Sequence, residues 1–148
     1  MNATSVSEYL EADHRRLDRL LTETVESAAA GTLDRAARAF ATLHDGIEKH
    51  IEVEERILFP FFEDANGAFG PTEVMRAEHA SILQSAAEIS LRLAGNDVGY
   101  CLEELDALAR LLSAHNLKEE RVLYPATERV LESLGRHREV LHRMQATL

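Results

Sequence analysis

The chain has 148 residues, 45% of them hydrophobic and 28% charged, with a formal net charge of −10. That length fits one domain around a single core, and the acidic balance argues against a nucleic-acid partner, which needs a basic face to release counterions. A single cysteine, Cys101, excludes an internal disulfide, the opening "MNATSVSEYLEADHRR" lacks a signal-peptide core, and no apolar run is long enough to span a bilayer, so a cytoplasmic location and no membrane partner are expected.

Glycine and proline cluster in "AAAGTLD", "DANGAFGP" and "AGNDVG", and the stretches between them are rich in strong helix formers. The first predicted helix runs from Ser5 or Ser7 to Ala30, with a serine cap and Gly31 as its stop; Val6, Leu10, Leu17, Leu21 and Val25 form its apolar stripe. The second runs from Leu33 to Glu63, with Leu43, Ile47, Ile57 and Phe61 inward. The third starts at Pro71, a favoured first-turn residue, and carries Met75, Ile82, Leu83, Ala86 and Leu93 to Ala94. The fourth runs from Val98 to Val130, with Leu105, Leu108, Leu112 and Val122 inward, and a short last helix is predicted over 132–146. Pro60 and Pro125 each predict a kink or an end in a long helix. The fold class is therefore all-α: an up-down-up-down four-helix bundle over about residues 5–130 with a short C-terminal helix, making residues 1–148 one domain.

The chain also repeats itself. "HIEVEERILFP" at 50–60 returns as "HNLKEERVLYP" at 115–125, with six of eleven positions identical. The same offset of 65 carries His14 onto His79, His50 onto His115 and Glu54 onto Glu119, as a duplicated helical hairpin would. The midpoint of His14 and His50 falls in "AGTL", that of His79 and His115 in "GNDVG", and that of Glu54 and His79 in "DANGAF". Each predicted turn thus lies where one layer of a bundle would collect all four histidines. A spacing of four residues places His50 with Glu54, and His115 with Glu119, on one helix face. That face is the apolar one.

Burying such groups uncompensated costs about 2–7 kcal/mol each, and a cation removes the penalty. Imidazole with carboxylate suits iron first, manganese and zinc also being compatible, and two histidines with one carboxylate per half is the set of non-haem iron sites with open positions. With both glutamates bridging, two roughly octahedral metals keep positions for an oxo or hydroxo bridge and a small ligand. Ferritin-like bundles use Glu-x-x-His instead. Asp18, one turn after His14, is expected to be an exposed helix residue, the other readings being an added ligand or an acceptor for an imidazole N–H. Glu55 and Glu120 are expected to face solvent or pair with their Arg56 and Arg121 neighbours, orientation of a neighbouring ligand being the lesser reading, and His44, His137 and His142 to be surface histidines.

The pattern His14, His50-x-x-x-Glu54, His79, His115-x-x-x-Glu119, with its "EE-R-x-L-[F/Y]-P" continuations, resembles the hemerythrin-like HHE cation-binding domain family. The resemblance covers about residues 5–130. It implies a four-helix bundle with two non-haem irons held by those six residues, taking up oxygen, nitric oxide or peroxide. Oxygen-carrying members usually have five histidines; here Leu83 stands where a fifth would follow His79, and Glu119 replaces a more distant Asp. The chain is in this respect similar to the bacterial HHE branch. A binding or sensing protein is the leading expectation. An enzyme turning over peroxide or a diatomic gas is the alternative, and a metal store or zinc structural site is the third.

Overall fold

The computed structural model describes residues 3–148, and among them only helices form, with no strand. The elements are α1 (Val6–Ala29), α2 (Leu33–Val53), a π-helical turn (Glu54–Leu58), α3 (Phe59–Asn66), α4 (Pro71–Ala94), α5 (Val98–Lys118), a second π turn (Glu119–Leu123), α6 (Tyr124–Leu134) and α7 (His137–Thr147). Helix α1 begins where the serine predicts, because the Ser5 hydroxyl accepts the Glu8 N–H at 3.0 Å. Helix α4 matches its predicted bounds; the preceding Gly70 has φ 130°, a conformation only glycine adopts without strain. Among the described residues no helix is long and apolar enough to cross a membrane.

Two expectations are corrected. The long second and fourth helices are each interrupted by a π turn starting at a repeat glutamate. The turn widens so that the Phe59 N–H bonds back to the Glu54 carbonyl, and the Tyr124 N–H to that of Glu119. One extra residue per turn advances the inward face by one position. Leu123 is therefore buried, and Val122, expected inward, is 57% exposed. The fourth arm also continues to Leu134, where left-handed Gly135 stops it, so the last helix starts at His137 rather than 132.

Packing closes a cycle: α1 lies on α2, α2 on α4, α4 on α5, and α5 on α1. Two apolar cores fill it. One contains Leu17, Leu21, Phe40, Leu43, Ile47, Ile82, Ile89 and Leu105. The other contains Val6, Leu10, Val53, Leu58, Phe59, Phe62, Met75, Leu123 and Tyr124, and α7 completes it with Val140 and Met144. Along every arm the repeat histidines fall between residues of these two cores. A polar layer therefore separates them.

Candidate metal centre

The layer contains His14, His50, Glu54, His79, His115 and Glu119, all buried. They form two overlapping groups, His14–His50–Glu54–Glu119 and Glu54–His79–His115–Glu119, with the potential ligand atoms of each group within 4.8 Å of one another. All six predicted residues are brought together. Each carboxylate reaches both halves: Glu54 Oε1 lies 3.4 Å from His50 Nε2 and 3.3 Å from His79 Nε2. Glu119 Oε1 lies 3.2 Å from His14 Nε2 and 3.3 Å from His115 Nε2. Of the other histidines, His44 pairs with Glu48 and His137 approaches Glu128, both away from this layer.

Outer carboxylates orient the rings, and they come in repeat pairs. Asp13 binds His50 Nδ1 at 2.8 Å and its counterpart Glu78 binds His115 Nδ1 at 2.8 Å. Glu55 binds His79 Nδ1 at 2.9 Å, whereas its counterpart Glu120 stands 3.6 Å from His14 Nδ1. Glu55 thus takes the lesser of its expected roles, orienting an imidazole, while it also lies 3.8 Å from Arg76. Accepting from Nδ1–H fixes the tautomer whose Nε2 lone pair points inward. His79 Nε2 and His115 Nε2 then face each other at 3.1 Å, and Glu54 Oε1 and Glu119 Oε2 are buried without a hydrogen-bond donor. Acceptors so crowded repel unless protons or a metal cation lie among them, and the donor set of four imidazoles and two carboxylates fits a metal centre.

The electrostatics agree. Burial lowers the His50 pKa, but the Glu54 charge and the Asp13 bond outweigh it and push the group up to about 10. His79 is likewise pushed up to about 10 against burial, by the Glu119 and Glu54 carboxylates beside it. Burial would raise Glu119, yet the imidazoles of His115, His14 and His79 around it hold it well below the ordinary carboxylate range. The layer attracts positive charge.

Tyr124 belongs to the site and was not foreseen. Its hydroxyl donates to Glu54 Oε2 at 2.6 Å and lies 3.2 Å from Glu119 Oε1 and from His14 Nε2. Burial and the two glutamate charges raise its pKa well above the phenol range, so it stays a neutral donor. The repeat did contain a signal: Tyr124 replaces Phe59, which carries no hydroxyl and stacks on His79 at 5.7 Å. Asp18 is exposed as expected and contacts no member of the layer through a hydrogen bond. It lines a small cavity of about 20 Å³ that borders all four histidines, room for about one water-sized ligand.

A family model described as Hemerythrin HHE cation binding domain matches residues 5–127. No curated protein and no solved structure matches the chain. With that match spanning most of the sequence, and the buried His/Glu layer inside it, the chain belongs to the hemerythrin HHE cation-binding domain family.

Proposed function

We propose that this chain is a single-domain, non-haem di-iron protein that binds or senses a small ligand such as oxygen, nitric oxide or peroxide in the core of an up-down-up-down four-helix bundle. His14 and His50 would hold one iron, His79 and His115 the other, with Glu54 and Glu119 shared. The observation that carries this reading is the pair of overlapping buried clusters joined by two carboxylates that each approach imidazoles of both halves. Iron supplies redox chemistry and coordination positions that a small ligand can take. The protein's part is to present inward lone pairs, fixed by Asp13, Glu55 and Glu78, and to exclude bulk water with the two apolar cores. The single cysteine and the absence of a membrane-spanning helix among the described residues support a cytoplasmic setting.

The enzyme reading gains one observation. The Tyr124 hydroxyl places a neutral hydrogen-bond donor inside the centre, 2.6 Å from Glu54, where it could also hydrogen-bond a small ligand. Stopped-flow spectra of the reduced protein with oxygen, nitric oxide and hydrogen peroxide separate the two: lasting adduct bands support binding, and repeated ligand consumption supports turnover. Metal analysis tests the centre itself. About two irons per chain are expected from this ligand set, and His50→Ala or Glu119→Ala should lower the content sharply. Full retention in either variant would sink the assignment.

A further inference from the structure

Three of the four imidazoles are anchored through a carboxylate that is itself held by a cation. Asp13 is held by Arg16 at 2.8 Å, Glu55 lies 3.8 Å from Arg76, and Glu78 pairs with Lys118. His14 differs. Its Nδ1 is buried without a hydrogen-bond partner, and Glu120 stands off at 3.6 Å. No Lys or Arg among the described residues pairs with Glu120. The repeat explains the difference: the position equivalent to Arg76, which holds Glu55, is occupied by Glu11. Burial raises the Glu11 carboxyl and the Glu120 charge raises it further, so the two acids oppose each other where the other half has an attraction.

The same side is open. A groove of about 680 Å³ between α1 and α5 is lined in part by His14, its walls including Asp18, Glu26, Asp106 and Glu120 against the single cation Arg15. The groove and the inner cavity share His14, Asp18 and Asn116. The groove's four carboxylates, set in otherwise largely apolar walls, favour cations, and those walls include the one imidazole whose ring is not tied from behind.

We infer that the two metal positions of the proposed centre are held unequally: the His14–His50 position exchanges a divalent transition metal through the α1/α5 groove, while the His79–His115 position retains its own. This inference rests on the di-metal reading above. His14 is the movable ligand, and Glu120 and Glu11 set how readily it lets go.

The test follows metal release from the whole chain loaded with Co²⁺, using excess chelator, with cobalt absorption for rate and native mass spectrometry for count. Release should be biphasic, one ion leaving at least about tenfold faster than the other, the scale on which outer partners of ligands act. Glu11→Arg installs the missing cation and should slow the fast phase about tenfold, Glu11→Gln should slow it less, and Arg76→Ala should speed the slow phase. Two ions leaving in one phase, or a fast phase indifferent to Glu11→Arg, overturns unequal holding while leaving the di-metal centre standing. A chain that takes up no cobalt removes the centre and this inference together.

Discussion

The His14–His50 half and the His79–His115 half are written with nearly the same phrase, and their imidazole pairs have the same centroid spacing of 4.7 Å. Their surroundings diverge. Around His79, Phe59 stacks on the ring, Arg76 lies over Phe59 at 5.4 Å, and the same Arg76 binds Glu63 at 2.9 Å, which also accepts from Thr72. This chain of contacts closes the α3–α4 corner behind the His79 imidazole. Around His14 the Tyr124 ring stacks in the same way, also at 5.7 Å, but it adds a hydroxyl, and an acid stands where the arginine would. The duplicate therefore conserves the atoms that face inward, and differs in what stands behind them.

The largest expected effect shows where the halves are alike. His50 and His79, one from each half, both sit at about 10 in the metal-free layer against an ordinary 6.5. A raised folded-state value contributes stability that is complete below about pH 6.5 and lost as pH rises through about 10. Metal-free protein should thus lose stability, on the order of several kcal/mol, between pH 7 and 10. Metal-loaded protein should not, since the metal displaces those protons. Thermal midpoints with and without chelator across that range check this, and a metal-free midpoint that is flat or rising contradicts it.

Next, Tyr124→Phe would make the two halves alike at the position where they differ most in chemistry. It removes a short hydrogen bond to a buried carboxylate, so the metal-free protein should lose about 1.5–3 kcal/mol in urea unfolding. Phe59→Tyr should not compensate, because that ring is stacked on His79 and packed under Arg76. The smallest effect concerns the approach of α1 to α2. A Cβ at Gly46 would meet Leu17 Cδ2 at 2.6 Å and Arg16 Nη2 at 3.1 Å, while the repeat position holds Leu111. Gly46→Ala sets an overpacking cost of about 1–3 kcal/mol against a helix-propensity gain of about 1, for a net loss near 1 kcal/mol. Because Arg16 holds Asp13, the same change should loosen His50; Leu111→Ala, in the other half, should not.

The sequence disclosed the inward atoms because their constraint is local and periodic. Four histidines and two glutamates at a fixed offset, on apolar stripes with turns at their midpoints, leave little freedom in where they meet. The outer partners were hidden because each reaches across to another helix. Asp13 serves His50 and Glu78 serves His115, so both read along the chain as ordinary surface acids beside His14 and His79. Val122 was expected inward and Tyr124 carried no expectation, and one cause underlies both. An α-helical count places residue 122 inward, whereas the wide turn at Glu119–Leu123 gives that place to Leu123 and turns Tyr124 onto the glutamates. Nothing in "EERVL" marks a π turn locally. Pro125 announces a disturbance without saying of what kind.

Those wide turns have a further consequence. Each stores one residue of chain length inside a helix, next to a glutamate of the centre. Loss of a residue from 54–58 or 119–123 would let the turn close into ordinary α-helix and rotate everything beyond it by about 100°. The Phe59 and Tyr124 rings would swing off the imidazoles, and the inward faces of α3 and α6 would meet solvent. Arg56 and Arg121 lie exposed within these turns, and their side chains tolerate replacement. Their presence does not: at these two surface positions, identity is negotiable and number is not.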